Sequence, residues 1–233
     1  MISVISEMEA NQAILGGTDL LDVKNPAEGS LGAQAPHVIR AIKNLSIGKA
    51  QVSAAIGDMP NLPGTAALAA LGAASCGVDY VKAGLYGPKN GKEAITLLRE
   101  VKLAVDGYKT LVIAALYADF QRADTLDPES LPELAASAGV NGCLIDTAIK
   151  DGSTLFDFIT PLRLRQLAEQ AHKLGLTFGA AGALKEKDLP LVLESGADIV
   201  GIRSAVCLNY QRNGPLDPNL VRQLVKSFQR SAQ

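Results

Sequence analysis

The chain has 233 residues, of which 48% are hydrophobic, and its 22 basic and 24 acidic side chains give a net charge of −2. This length can bury a sizeable core, and the near-neutral charge gives no electrostatic reason to expect nucleic acid or an anionic membrane as a partner. No apolar run reaches the roughly 18 residues that a membrane span needs, and residues 1–6 lack the features of a signal peptide. The three cysteines show no Cys-x-x-Cys spacing and fall in apolar stretches, so we expect buried, reduced thiols in a cytoplasmic protein.

Short apolar runs, many with β-branched residues, recur along the chain and predict eight β-strands. The segments between them carry apolar residues every three or four positions, which predicts helices, and glycines before several strands indicate where those helices end. In chain order, the predicted strands are Ile2–Ile5, Leu20–Val23, Gln51–Ile56, Tyr80–Leu85, Thr110–Leu116, Gly142–Asp146, Thr177–Ala180 and Ile199–Arg203.

This regular alternation predicts an α/β fold built on a parallel sheet. Most of the strands are apolar throughout, so we expect both faces of the sheet to be covered. Eight units of about 29 residues each favour a (β/α)8 TIM barrel over a doubly wound open sheet. No linker or low-complexity tract interrupts the series, so residues 1–233 are expected to form a single TIM-barrel catalytic domain.

Three lysines lie at or near the ends of predicted strands: Lys24 after the second, Lys82 within the fourth, and Lys150 after the sixth. An ammonium is costly in an apolar core, and each of these lysines has an aspartate close in sequence. Asp22 shares a strand face with Lys24, and Asp146 ends the sixth strand. A lysine crowded by other cations and partly desolvated loses its proton more easily, and a neutral amine can attack a carbonyl. The pattern therefore indicates carbonyl chemistry through an imine.

Each of these residues also has a plain structural interpretation. Lys24 could be a solvent-exposed residue at a loop edge, and Lys82 could extend its ammonium to solvent along an apolar stem. Lys150 precedes Asp-Gly and could belong to an ordinary turn. Asp119, after the fifth strand, could cap a helix or loop. Asp146 argues more strongly for function, because an unpaired carboxylate at the end of an apolar strand would be expensive.

Small residues lie at the ends of the last two predicted strands, in Gly179–Gly182 and Gly201–Ser204. In TIM barrels, backbone N–H groups at this place often bind phosphate, and glycine permits close approach of the ligand. We therefore expect phosphate binding at Gly182, Gly201 and Arg203, whose guanidinium could add a charge-assisted hydrogen bond. Tight packing of small residues is the alternative.

The sequence indicates neither a cofactor nor a metal. It contains no GxGxxG motif and no Walker P-loop, so a nucleotide is not expected. His37 and His172 fall on predicted helices and show no metal-ligand spacing with each other or with the cysteines.

Several segments resemble the (5-formylfuran-3-yl)methyl phosphate synthase family, the furan-forming enzymes of methanofuran biosynthesis. The resemblance covers essentially the whole chain, and its most specific parts surround Lys24 and Lys150. The segments that carry it are Asp22-Val23-Lys24-Asn25-Pro26-Ala27-Glu28-Gly29-Ser30-Leu31-Gly32-Ala33, Pro63-Gly64-Thr65, Asp79-Tyr80-Val81-Lys82, Gly84-Leu85-Tyr86-Gly87, Asp146-Thr147-Ala148-Ile149-Lys150-Asp151-Gly152, Leu155-Phe156-Asp157-Phe158 and Asp198-Ile199-Val200-Gly201.

The resemblance implies a TIM barrel that condenses two glyceraldehyde 3-phosphate molecules into a furan aldehyde phosphate, with loss of phosphate and water. By the same resemblance, Lys24 is the Schiff-base lysine, Lys82 is the proton acceptor, and Asp22, Asp146 and Lys150 are supporting site residues. The expected partner is a small phosphorylated substrate, in a protein that could be a homo-oligomer. Two alternatives remain open: a class I aldolase acting on a phosphosugar, and a non-catalytic barrel that binds a phosphorylated metabolite.

Overall fold

A closed barrel of parallel strands forms the centre of the computed structural model, which describes residues 1–231. The strands are β1 (Ile2–Val4), β2 (Leu20–Val23), β3 (Gln51–Met59), β4 (Tyr80–Leu85), β5 (Leu111–Tyr117), β6 (Gly142–Asp146), β7 (Thr177–Ala180) and β8 (Ile199–Val200). They pair in chain order, each with the next. Ile2 and Ile202 form a parallel bridge, and the Ser3 N–H donates to the Ile202 carbonyl at 2.9 Å. This bridge joins the two edges and confirms the predicted TIM-barrel fold.

Helices connect successive strands, and several begin at a side-chain cap. The Ser6 hydroxyl accepts the Glu9 N–H at 3.3 Å, and the Asn90 side chain accepts the Glu93 N–H at 3.0 Å, so each satisfies an otherwise unpaired donor of a first turn. The α-helices are α1 (Glu7–Leu15), α2 (Pro36–Ser46), α3 (Pro63–Ala74), α4 (Gly91–Ala104), α5 (Phe120–Ala123), α6 (Leu131–Ala138), α7 (Pro161–Lys173), α8 (Leu189–Glu194) and α9 (Pro218–Ser231).

The observed strand bounds agree with the predicted ones for β2, β4, β6 and β7. Strand β3 runs three residues further than predicted, to Met59. Its pairing with β4 shifts between Ala55 and Asp58, and Gly57 adopts a φ of 128°, so an irregular stretch extends the strand past its apolar run. Strand β8 is shorter than predicted and ends at Val200, and beyond it Ile202 keeps only the isolated bridge to Ile2.

Alternation along the strands divides the buried side chains into two layers. In β4, Val81, Ala83 and Leu85 belong to the large apolar cluster, as do inward-facing residues of the surrounding helices, whereas Lys82 does not. A smaller cluster fills the barrel interior and is composed of Leu31, Ala55, Ile113, Ala115, Tyr117 and Leu144. Lys82 is in register with Ala55 and Ile113 of that cluster, so its side chain enters the barrel.

A repeated side-chain contact fixes the amino ends of the strands. Asp79, Asn141 and Asp198 each precede an even-numbered strand, and each accepts a backbone N–H from the odd-numbered strand before it. The three bonds come from Val52 at 2.7 Å, Val112 at 3.0 Å and Phe178 at 2.7 Å. These bonds stabilise the end of the barrel opposite the carboxyl ends of the strands, where catalytic groups of such barrels lie.

Two further observations concern the molecule as a whole. Cys76, Cys143 and Cys207 are buried free thiols, as the sequence predicted. Across residues 1–231, every helix falls short of the length and apolar character that crossing a membrane requires.

Candidate active site

One pocket at the carboxyl ends of the strands brings the predicted site residues together. Its lining includes all five predicted catalytic residues and all three predicted phosphate-binding residues, namely Asp22, Lys24, Lys82, Asp146, Lys150, Gly182, Gly201 and Arg203. Strands β2, β4 and β6 and the residues just after them supply its lysines and aspartates, and the segments after β7 and β8 supply its small residues and its arginines. Because parallel strands end at one edge, residues far apart in sequence converge there.

The carboxylate of Asp22 is the central acceptor of this pocket and is fully buried. Its Oδ1 lies 2.6 Å from Lys82 Nζ, while its Oδ2 accepts the Ser3 hydroxyl at 3.0 Å and lies 3.8 Å from Lys24 Nζ. Burial by itself would raise the pKa of Asp22, but attraction to Lys82 and Lys24 outweighs it and lowers the pKa below its ordinary value. Asp22 is therefore a fixed negative charge between two buried lysines.

Lys24 has the electrostatic environment of a nucleophilic amine. Its side chain is only 5% exposed. Burial lowers its pKa to about 7, because desolvation outweighs the attraction of Asp22 and Asp146, and Lys82 and Arg212 add repulsion. At neutral pH about half of the Lys24 amines are thus unprotonated, which is the state that attacks a carbonyl. The burial argues against a solvent-exposed residue at a loop edge.

Asp146 and Lys150 form a second ion pair beside Lys24. Lys150 Nζ lies 2.7 Å from Asp146 Oδ1 and donates to the Thr147 hydroxyl at 2.9 Å, and the Thr147 N–H donates to the same Oδ1 at 2.7 Å. Burial opposes ionisation of Asp146, but Lys150 and then Lys24 hold its pKa well below the ordinary range. The pair therefore supplies an ionised carboxylate and a positioned ammonium, the two groups that a proton relay needs.

Asp58, a carboxylate that the sequence analysis missed, fixes the loop after β2. Asp58 accepts the N–H groups of Ser30 at 2.7 Å and Leu31 at 3.2 Å, and it also accepts the Tyr117 hydroxyl. The Ser30 hydroxyl then donates to the Thr147 carbonyl at 2.8 Å and contacts Asp146 at 3.4 Å. Asp58 thus holds the loop that touches the Asp146 pair. A carboxylate near the end of an apolar strand was the available sequence signal.

Burial and the Asp58 carboxylate raise the pKa of Tyr117 well above its ordinary value, so the phenol stays protonated and donates its hydrogen bond. Gly84 makes this contact possible, because a Cβ at that position would lie 2.3 Å from the Tyr117 hydroxyl. The glycine that follows Lys82 and Ala83 in β4 is therefore explained by packing inside the barrel.

Gly182 lies where the sequence predicted a phosphate site, and its backbone conformation and close neighbours also require a glycine. Its φ is 121°, in the region that favours glycine, and an added Cβ would lie 3.1 Å from Thr147 and 3.3 Å from Leu155. Within residues 1–231, we find no acceptor for the N–H groups of Gly182, Ala183 and Ser204. The three residues line the same pocket, so their N–H groups are candidate donors to a ligand.

The Arg203 side chain, which was predicted to add a charge-assisted hydrogen bond to phosphate, is bonded within the protein. Its Nη1 and Nη2 donate to the Glu9 carboxylate at 2.7 and 3.2 Å, and Nη1 also donates to the Ser3 carbonyl at 2.9 Å. This buried bidentate pair satisfies most of the guanidinium. Arg212, which the sequence analysis did not single out, also lines the pocket.

The fold resembles those of several solved barrels. A 3-hexulose-6-phosphate synthase from Salmonella typhimurium matches with a TM-score of 0.67 at 16% identity, covering 99% of this chain and 98% of that one. An orotidine 5'-phosphate decarboxylase from Pyrococcus horikoshii OT3 matches with a TM-score of 0.65 at 16% identity, covering 98% and 99%. At such identities the likeness shows the fold alone. Fold and site together define a TIM barrel with buried, paired lysines at the carboxyl ends of its strands.

Sequence comparison then gives the family. The family model described as 4-HFC-P synthase matches residues 1–225. A (5-formylfuran-3-yl)methyl phosphate synthase from Methanopyrus kandleri is 46% identical over 231 residues, covering 98% of each chain. The protein of that name from Methanocaldococcus jannaschii is 45% identical over 227 residues, covering 96% of this chain and 97% of its own. This chain belongs to the (5-formylfuran-3-yl)methyl phosphate synthase family, and the predicted resemblance is confirmed.

Proposed function

We propose that this protein is a (5-formylfuran-3-yl)methyl phosphate synthase, acting as a lyase in the biosynthesis of a methanofuran-type coenzyme. In this proposal it condenses two glyceraldehyde 3-phosphate molecules through a lysine Schiff base and releases phosphate and water. Family membership supports the overall reaction. The observation that carries the mechanism is Lys24, a buried amine with a pKa of about 7 beside two carboxylates.

The first step forms a covalent bond between Lys24 and the substrate. The neutral Nζ attacks a carbonyl carbon of one triose phosphate, and the resulting carbinolamine loses water to give an iminium. Asp22 and Asp146, which are held ionised by their lysine partners, stabilise the positive charge of that iminium. The iminium withdraws electrons and acidifies the neighbouring C–H bond.

Proton transfer and carbon–carbon bond formation follow. Lys82 is the base in this proposal. It rests as an ammonium paired with Asp22 at 2.6 Å, so it first gives a proton to the departing carbinolamine hydroxyl, and the resulting amine then takes the C–H proton and restores the ion pair. The enamine carbon then attacks the carbonyl of the second triose phosphate, whose oxygen receives a proton. Lys150, which is paired with Asp146 at 2.7 Å, donates protons to the departing oxygens in this proposal.

Elimination completes the furan. Phosphate leaves by β-elimination, and water is lost as the ring closes and becomes aromatic. Hydrolysis of the remaining imine takes up one water, releases the product aldehyde and regenerates the Lys24 amine. Formation of the aromatic ring favours the overall direction. One phosphate remains on the product, so the site has to bind a phosphoryl group throughout the reaction.

The test is incubation of the purified protein with glyceraldehyde 3-phosphate, following inorganic phosphate and near-ultraviolet absorbance together. Equal amounts of phosphate and furan chromophore support the proposal. An aldolase would give a borohydride-trapped lysine adduct without the chromophore, and a non-catalytic binder would give neither an adduct nor phosphate. Either of those results would overturn the proposed reaction.

A further inference from the structure

Arg212 lies in a short hairpin between β8 and α9. Cys207 and Leu216 form an antiparallel bridge, and the Leu208 N–H donates to the Pro215 carbonyl at 2.9 Å. The turn itself is compact, since the Gly214 N–H donates to the Gln211 carbonyl at 2.8 Å. This hairpin extends the chain back over the pocket, and Arg212 joins the pocket lining from it.

The buried ion pair of Arg203 and Glu9 holds the hairpin in place. Arg203 Nε donates to the Arg212 carbonyl at 2.8 Å, while the rest of the Arg203 guanidinium is bound to Glu9. Both charged partners are almost fully buried, at 3% and 7% side-chain exposure. Arg203 therefore fixes the backbone that carries Arg212.

The Arg212 side chain, by contrast, is half-buried, and one of its terminal nitrogens is buried without a partner. Its Nη2 is inaccessible to solvent and has no acceptor in the described part of the chain, and no carboxylate of residues 1–231 forms an ion pair with it. A buried cationic donor that lacks an acceptor is destabilising. Such an arrangement is explained if the acceptor is a bound ligand.

The charges of the pocket indicate the chemistry of that ligand. Lys24, Lys82, Lys150 and Arg212 face only two lining carboxylates, those of Asp22 and Asp146. Arg203 is neutralised by Glu9, which leaves the pocket with an excess of positive charge even when Lys24 is neutral. Gly182 and Ser204, whose N–H groups have no acceptor within residues 1–231, line the same pocket. A guanidinium, backbone donors and excess positive charge together suit a phosphoryl group.

We propose that Arg212 binds a phosphoryl group of the substrate, together with the backbone N–H groups after β7 and β8, and that Arg203 positions it. The identity of the ligand as a phosphorylated substrate rests on the proposed function. Arg203, the guanidinium expected from the sequence, acts in this proposal through its bond to the Arg212 carbonyl rather than by contact with phosphate.

Calorimetric titration of the full chain with inorganic phosphate tests the proposal independently of turnover. Loss of a charged hydrogen-bond donor predicts that Arg212→Ala weakens phosphate binding by roughly 10- to 100-fold. Arg212→Lys should recover part of the affinity, since an ammonium keeps the charge but not the planar pair of donors. Arg165→Ala, at an exposed position on α7, is the matched control and should bind like the unaltered protein.

A double-mutant comparison tests the positioning role of Arg203. If Arg203 acts through Arg212, Arg203→Lys weakens phosphate binding alone but has no further effect when Arg212 is already alanine. Additive losses would show that Arg203 acts by another route. Circular dichroism and thermal unfolding identify any variant that fails to fold, and Arg212→Lys then provides the decisive comparison.

These experiments can contradict the role of Arg212 and the proposed reaction independently of each other. Unchanged phosphate affinity in folded Arg212→Ala, or no phosphate binding by the unaltered protein, would overturn the role of Arg212. Phosphate binding that depends on Arg212, in a protein that makes no furan from glyceraldehyde 3-phosphate, would support the anion site and overturn only the reaction.

Discussion

Lys82 Nζ lies 2.6 Å from Asp22 Oδ1, and both side chains are almost completely buried inside the barrel. The two residues belong to strands β4 and β2, which are separated by β3 in the sheet. Their contact therefore passes over β3 on the inner face of the sheet, where the curvature of the barrel brings the two inward-pointing side chains together. This ion pair fixes the charge next to Lys24, on which the proposed chemistry depends.

Lys24 is expected to be the residue that forms the covalent adduct. Borohydride added during incubation with glyceraldehyde 3-phosphate should leave a reduced adduct on the peptide that contains Lys24, as detected by mass spectrometry. Lys24→Arg should be inactive, because a guanidinium stays protonated and cannot form the imine. Lys173→Arg, at an exposed position on α7, is the control and should retain activity. An adduct found only on another lysine would contradict the assignment.

The activity is expected to fall on the acid side of pH 7. The proposed nucleophile is the unprotonated amine, and the Lys24 pKa is about 7. One unit below that value, at pH 6, about one-tenth of the amine remains neutral, so kcat/KM should be roughly tenfold below its plateau. Arg212→Ala removes a repelling cation, so the Lys24 pKa and the acid limb should move to higher pH. A flat profile between pH 6 and 8 would argue against a Lys24 nucleophile.

The same shift predicts a pH dependence of stability. The folded pKa of Lys24 is about 7 and the unfolded value is near 10.5, so the unfolded chain binds more protons between these pH values. The contribution of this group to the free energy of unfolding should therefore rise as pH increases from 7 toward 10. Chemical denaturation at pH 7 and pH 9 should show a smaller rise for Lys24→Met than for the unaltered protein. Equal rises in the free energy of unfolding of the two proteins would show that Lys24 does not cause this pH dependence.

Lys82 and Asp146 are expected to be needed for proton transfer. Lys82→Met and Asp146→Asn should each reduce kcat by roughly 100-fold or more, the usual scale of general acid–base catalysis. Because each residue belongs to a buried ion pair, each variant should also lose a few kcal/mol of stability. Steady-state rates measured well below the unfolding temperature separate the two effects. Near-normal kcat in both folded variants would remove these residues from the mechanism.

Asp58 is expected to act by holding the loop after β2. Asp58→Ala leaves the Ser30 and Leu31 N–H groups without their acceptor, at a cost of about 1–3 kcal/mol for a buried donor. Hydrogen exchange should then accelerate at residues 29–31, and turnover should fall because Ser30 no longer supports Asp146. Tyr117→Phe keeps the carboxylate and both backbone bonds, so its exchange at residues 29–31 should change far less. Equal acceleration in the two variants would show that the phenol, not the backbone bonds, holds the loop.

The sequence by itself determined the barrel and the central lysines. Apolar runs alternating with helical spacing predicted eight strands, because burial on both faces requires continuous apolar segments. Lys82 stands out in the apolar fourth strand, because an ammonium in an apolar strand needs a partner. The motifs around Lys24 and Lys150 predicted the family, and the comparison with relatives confirmed it. These features are local in sequence, so they could be read before any contact was known.

The partners of the charged side chains are evident only in the tertiary structure. Arg203 lies next to the predicted phosphate segment, yet its guanidinium bonds to Glu9, which is far away in sequence and was not considered. Arg212 lies in a polar loop without apolar periodicity, and only the hairpin places it over the pocket. Asp58 was missed because its role depends on a loop that crosses to it from β2. Ion pairing depends on distance and burial, and closure of the barrel sets both, so sequence spacing could not reveal them.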